Sequence, residues 1–243
     1  MPSFALRLST TAGLLLCLAG LARAEPHAYA LDPVHTRILV AVDHAGFSTA
    51  LGTVSGSTGT LHFSPGDWTG ARVEVEIPLR RLDFGDERWN RATLARNLLD
   101  VDSHPVATFR STRVETLDES QAIVHGVLDL RGVSREVALA VRFNGARRHP
   151  LPPFRRTVGF SATTTLSRSD FGITAWRSMI GDTVELRIEA EAIRARGTGD
   201  AGADAGADEP TTAPEAAPAP PDDIEPMDEA TDPTDIPEPE AVP

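Results

Sequence analysis

Between residues 26 and 196 the chain alternates apolar and polar side chains in short runs, and Gly, Pro, Asp and Asn separate the runs. In Val73-Glu74-Val75-Glu76-Ile77 every second side chain is apolar; Val137, Leu139, Val141 and Phe143 repeat the pattern, as do Val184, Leu186 and Ile188. A period of two turns one face of an extended segment to an apolar interior and the other to water, the pattern of antiparallel strands. Such runs fall near 28–32, 36–44, 51–63, 71–79, 106–115, 121–131, 136–146, 158–168 and 182–194. So many strands in one domain predict a closed barrel, because closure leaves no strand edge free to pair with another chain. One segment breaks the period. From Asp86 to Leu99 the apolar residues Trp89, Ala92, Leu94, Ala95, Leu98 and Leu99 alternate with arginines and Asn97 at helical spacing, which predicts a helix over 86–99 with one apolar side. That helix either plugs one end of the barrel or gates entry to its interior.

Both ends of the chain read differently. Residues 1–24 have Arg7 near the start, an apolar run from Ala12 to Leu21 and then Ala22-Arg23-Ala24, the arrangement of a cleaved secretory signal. The run is too short to span a membrane. Cys17 follows Leu16, a side chain too large for lipoprotein processing, and it is the chain's single cysteine. Cleavage after Ala24 therefore leaves a mature chain without disulfides, thiolate chemistry or cysteine-bound metal. Residues 197–243 are mostly Gly, Ala, Asp, Glu, Pro and Thr, with no aromatic residue, and predict a disordered tail because they cannot bury enough apolar surface to offset the entropy of ordering. The expected organisation is thus a signal over 1–24, a barrel domain over 25–196 and an acidic tail over 197–243.

Composition narrows the chemistry. All 23 basic residues are arginine, which removes mechanisms that need a lysine. The net charge of -12 belongs to the tail, which holds 14 of the 35 acidic residues and no basic one. The nearly neutral body gives no basic face for nucleic acid. None of the seven histidines forms a His-x-x-x-His or His-x-His pair, so neither a metal nor a cofactor is expected. Gly46-Phe47-Ser48-Thr49-Ala50 lacks the second glycine of a nucleophile elbow, and Asp100 with Asp102, or Glu185 with Glu189, reads as solvated carboxylates. No catalytic residues are assigned and no enzyme is expected. Arg168 and Asp170 stand at the end of an apolar strand, where they form either a salt bridge or turn lock or a polar contact for a ligand head group; Trp176, Met179 and Ile180 follow in a loop able to cover the same end.

Several local patterns together resemble the YceI-like polyisoprenoid-binding proteins of the bacterial periplasm. Tyr29-Ala-Leu-Asp32-Pro33-Val-His35-Thr36 and His44-Ala-Gly46-Phe47-Ser48 are similar to that family's first strand and the turn after it. Leu82-Asp83, Asp102-Ser-His104-Pro105 through Ser111, Gly126 to Val137, Gly159-Phe160-Ser-Ala, Arg168 to Ile173 and Gly181-Asp182-Thr-Val184 continue the resemblance in order to about Ala192. The chain departs from the family at Leu98 and Leu99, where two aromatics are frequent, and in its acidic tail.

The resemblance implies an all-β, lipocalin-like, eight-stranded antiparallel barrel with one helix, whose elongated apolar interior holds an isoprenoid, an isoprenoid quinone or a similar amphiphile. The inward rows then form the pocket wall: Val40, Val42, Val73, Val75, Phe109, Leu128, Leu139, Val141, Phe160 and Leu186, with Trp89, Leu94 and Leu98 from the helix. Alternation alone leaves the same rows open to being plain core. His44, Arg168 and Asp170 are the candidate head-group contacts, although His44 and Asp32 equally suit backbone groups at a turn. The expected protein is a non-enzymatic periplasmic carrier, compatible with a transient membrane contact and with a homodimer. Its rivals are a solid barrel serving stress response or interaction, and an enzyme acting on a lipid.

Overall fold

The computed structural model describes residues 26–195; the expected signal over 1–24 and the expected tail over 197–243 lie outside the described residues. The strands are β1 (His27–Leu31), β2 (Arg37–His44), β3 (Ser48–Ser55), β4 (Thr58–Ser64), β5 (Asp67–Pro78), β6 (Leu82–Asp83), β7 (Val106–Thr116), β8 (Gln121–Leu130), β9 (Val133–Arg148), β10 (Arg156–Ser167) and β11 (Ile180–Arg194), with one helix, α1 (Glu87–Leu94). All pairings are antiparallel, and β1, β4, β5, β7, β8, β9, β10 and β11 follow one another in a ring that β1 closes on β11. This is a closed eight-stranded barrel.

The three remaining strands extend the wall of that ring. β11 pairs with β1 through Ala192 and with β2 through Glu189, so β1 and β2 form one stave interrupted at 32–36. β3 and β4 form the next stave, interrupted at 56–57, and β5 with β6 the third, interrupted by a 3-10 turn at Leu79–Arg81. The three breaks lie side by side: Gly56 N–H donates to Pro33 O at 3.3 Å, and the Gly56 backbone lies against Pro78 and Arg81. At the first break Asp32 Oδ1 accepts from Val34 N at 2.8 Å and His35 N at 3.2 Å, an Asx turn that stops the ladder where proline offers no N–H. Hairpins of two or three residues join β2 to β3, β4 to β5 and β8 to β9. Arg131 and Gly132 join β8 to β9 with both residues at positive φ, as a two-residue turn matched to the twist of the strands requires.

The helix is shorter than its periodicity predicts. Asp86 caps it by accepting from Arg88 N and Trp89 N, but it ends at Leu94, where Ala95 takes an extended conformation. The chain then folds back on the last helical turn, with Leu99 N bonded to Thr93 O and Val101 N to Leu94 O. The physical reason is burial: this turn brings Leu98 and Val101 into the barrel, where each is buried, whereas α1 itself buries none of its residues.

The interior is divided. At the end where β10 begins and β11 finishes it is packed solid around Phe63, which is 0% exposed and touches the rings of Trp68, Phe143 and Phe160 at centroid distances of 5.0, 5.0 and 5.1 Å. A second group built on Phe109, Val124, Leu128 and Phe171 fills the middle. Beyond the three stave breaks the interior opens.

Candidate functional site: an apolar cavity at one end of the barrel

A cavity of about 290 Å³ occupies this open end. Its wall comes from the staves beyond their breaks, including Ile38, Val40 and Val42 of β2 and Ala50 and Val54 of β3. Val40 stands directly opposite Leu186, and Val42 opposite Val184, so the alternation of two paired strands lays four apolar side chains side by side. The floor is Leu128, Leu98 and Phe171, and the cover is Trp89 of α1 with Trp176 and Met179 of the loop between Phe171 and β11 and Ile180 at the start of β11. Asp43, His44, Thr93 and Arg168 supply what little polarity there is.

Arg168 builds the cover. It is only 6% exposed, and its guanidinium donates to Ile173 O, Ala175 O, Ile180 O and Gly181 O at 2.8 to 2.9 Å. One planar fork thereby ties both ends of the loop together, a task that matches the geometry of arginine. Burial pulls its pKa down, and the nearby Asp182 carboxylate acts the other way. Asp182, which accepts from Ser167 Oγ and Ser169 N, is held below the usual carboxylate range by the Ser167 bond in the first place. Of the two roles open to Arg168, the structure therefore gives the turn lock, with backbone carbonyls as its partners. Arg131 braces the same region by donating to Gly172 O and to Arg96 O just beyond α1.

The expected pocket residues divide between the two halves of the interior. Val40, Val42, Trp89, Leu98, Leu128 and Leu186 line the cavity, as do His44 and Arg168. Phe109 is instead buried in the central packing, with Val73, Leu139 and Val141 against it, and Phe160 packs on Phe63. Leu94 sits between Leu82 and Val101 in the packing beneath α1, and Val75, opposite Phe109, is half-buried. Asp170 is exposed within the 3-10 turn Arg168–Phe171. The reason for this division is that alternation records which side of a strand faces inward and nothing about height along the barrel, where bulky aromatics meet and fill the lumen. The turn role weighed for Asp32 and His44 also separates: Asp32 makes the Asx turn and binds His35 Nδ1 at 2.8 Å, while the His44 ring lies 5.0 Å from Trp89 at the cavity. Sequence reasoning missed Ile38 and Val184, which share the phase of rows already identified, and Phe84 and Ile173, which stand in irregular segments where no period exists.

An interior neither open throughout nor packed throughout, with a single-ended apolar chamber, places the molecule in the class of cavity-bearing antiparallel β-barrels. The chain belongs to the YceI-like domain family, whose model matches residues 29–192. It is 31% identical over 189 residues to a UPF0312 protein of Serratia proteamaculans, covering 78% of this chain and 97% of that one. A UPF0312 protein of Ectopseudomonas mendocina is 30% identical over 177 residues, covering 73% and 92%. Among solved structures the fold is similar to Burkholderia cenocepacia BcnA, with a TM-score of 0.59 and 19% identity over 66% of this chain and 98% of that one. It is also similar to a polyisoprenoid binding domain from Saccharophagus degradans implicated in plant cell wall breakdown, with a TM-score of 0.52 and 18% identity over 70% and 99%.

Proposed function

We propose that this protein is a periplasmic carrier that holds a polyisoprenoid, or the isoprenoid tail of a quinone, in the cavity behind Trp89 and Trp176. The observation that carries the reading is the cavity itself, walled by Val40, Val42, Val184 and Leu186 and almost free of polar atoms. Convergent polar groups of the kind a reaction needs are missing from that wall, whereas a branched hydrocarbon chain needs only shape and dryness. The polyisoprenoid-binding likeness of the Saccharophagus degradans domain supports the same ligand class. At about 290 Å³ the chamber lies at the lower end of small-molecule sites, which span about 300–1,000 Å³, so it takes one end of a chain and leaves the rest at the mouth.

Energetics favour carriage over permanent capture. Moving a CH2 from water into the chamber gains about 0.8 kcal/mol, but the chain's other home is a bilayer, where it is already dry. Exchange between the two is near balance, and the protein both loads and releases. The mouth suits this exchange: Phe47 is 91% exposed, Trp89, Trp176 and Met179 are exposed beside it, and Ala45 N bonded to Met179 O joins the two loops that carry the rim. Trp and Phe at an apolar opening are side chains that settle at a membrane interface. Export by the segment 1–24 brings the barrel to the compartment where such lipids are handled. Native mass spectrometry of protein purified from its own cells tests the reading. A bound species with the mass of a prenyl lipid is expected, and protein purified without any such lipid, combined with no uptake of added prenol, contradicts it. Amino-terminal sequencing of the same sample checks that the mature chain starts at Glu25.

A further inference from the structure

The closed end of the barrel, on the far side of the Phe63 packing from the lipid cavity, carries a second cleft of about 140 Å³ that includes Tyr29, Arg147, Arg148, Arg156 and Arg194 in its lining. Strand register explains why Arg148, Arg156 and Arg194 converge with Tyr29, whereas Arg147, opposite Thr157, takes the other face of the sheet at the edge of the cleft. Tyr29 stands opposite Arg194 in the β1–β11 pair, and Arg156 opposite Arg148 in the β9–β10 pair. Residues directly opposite one another share a face of the sheet. Tyr29 is buried, so Arg194 faces the interior with it; Val158, two residues from Arg156, is buried, so the period of two turns Arg156 inward as well. Arg156 and Arg194 lie one step beyond Thr157 and Ile193, the last partners of the β10–β11 ladder, and are therefore neighbours.

This row is electrostatically incomplete. Like charges facing each other across a sheet are destabilising. The side chain of Arg194 binds His27 Nδ1 at 3.3 Å, and among the described residues no carboxylate pairs with Arg147, Arg156 or Arg194. Arg148 is engaged in an interaction of its own, so the site does not depend on it. A second feature points the same way. Tyr29 is 4% exposed as a residue and lines the cleft, and its hydroxyl is not among the buried polar atoms without a partner, so the oxygen opens to the cleft. Burial pushes its phenol pKa up, and the Arg194 and Arg156 guanidiniums act against that rise. Two adjacent cations without a carboxylate, with a hydroxyl donor open to the same cleft, are complemented by a single anion.

We propose that this cleft binds a phosphate dianion, free or as a monoester, between Arg156 and Arg194, with the Tyr29 hydroxyl donating to one oxygen and Arg147 at the rim. Two cations match two negative charges, and donors arriving from several strands suit a tetrahedral oxyanion with three free oxygens better than a flat carboxylate with two. The inference is independent of the lipid reading, because the Phe63 aromatic packing separates the two sites.

Tyr29 is the only tyrosine in the chain. Full-length protein labelled at tyrosine thus carries one reporter, whose ring resonances are followed by NMR as inorganic phosphate is added. A saturable shift is expected that sodium chloride at matched ionic strength does not reproduce. Arg156→Gln and Arg194→Gln each weaken binding about tenfold, the value of one charge-assisted hydrogen bond. Both variants retain the wild-type circular dichroism spectrum, since removing one of two neighbouring cations relieves repulsion. Glycerol 3-phosphate and vesicles containing phosphatidic acid, run in parallel, show whether the free ion, a soluble monoester or a lipid head group binds tightest. No saturable shift with any of the three, an equal response to acetate, or unchanged binding in the Arg156→Gln Arg194→Gln variant overturns the proposal.

Discussion

Two side chains do more than their neighbours suggest. Arg168 donates to four carbonyls from a nearly solvent-free position, so its loss leaves Ile173, Ala175, Ile180 and Gly181 without their donor. Arg168→Met is expected to cost about 3 kcal/mol in urea unfolding, and Arg168→Lys to recover only part of it, because an ammonium cannot reproduce the fork. Equal stability of all three proteins would show that water replaces the guanidinium without penalty. The other side chain is His35, whose pKa is raised above its usual value first of all by its bond to the Asp32 carboxylate. Burial pushes the Asp32 carboxyl up, but the bonds from the His35 ring and from two backbone N–H groups outweigh it and leave that group lowered. The sign follows. A histidine with a raised folded-state pKa contributes its full stability below the unfolded value, near 6.5, and loses it as pH rises through the folded value. The melting temperature of wild type relative to His35→Gln should therefore fall between about pH 6 and pH 8, and a constant difference across that range would remove the clasp from the account.

Among the elements, the strands were the most legible part of the sequence. Val73 to Ile77 and Val184 to Ile188 alternate without exception, and both became strands of the ring, β5 and β11. The 51–63 run reads as one strand but breaks at Gly56 and Ser57, where the inward face passes from even positions (Ala50, Val54) to odd ones (Leu61, Phe63) and Gly56 N bonds to Pro33 O. The helix was legible at its start, where Asp86 is a recognisable cap, and not at its end, since the burial of Leu98 depends on side chains more than seventy residues away, such as Phe171. The loop between Phe171 and β11 has no period, yet with α1 it forms the cavity cover. Its exposed rim makes a kinetic prediction. Phe47→Ser should slow the transfer of a fluorescent prenol from vesicles to the protein, while leaving the affinity for prenol already in solution unchanged, because Phe47 is exposed at the rim and takes no part in the cavity lining. A fall in affinity without a change in transfer rate would mean that the rim belongs to the pocket and takes no part in membrane contact.

At the scale of the whole molecule, the division of the barrel separates stability from binding. The aromatic packing at the closed end has no access to the cavity, so Phe63→Ala is expected to cost about 3–5 kcal/mol and to leave prenol uptake by the remaining folded protein intact. The cavity wall should behave in the opposite way. Val40→Trp adds a large apolar ring where there is empty space, which occupies the chamber without burying a polar group. Sequence alone named Val40, Leu186, Phe109 and Phe160 as one inward surface, and the height of the packed rings of Phe63, Trp68, Phe143 and Phe160 along the lumen distinguishes them. The most direct measurement is therefore a prenol titration of the wild-type, Val40→Trp and Phe63→Ala proteins, followed by native mass spectrometry. One prenol per wild-type and Phe63→Ala chain, with none retained by Val40→Trp, is the predicted result; undiminished binding to Val40→Trp would contradict the assignment of the cavity as the lipid site.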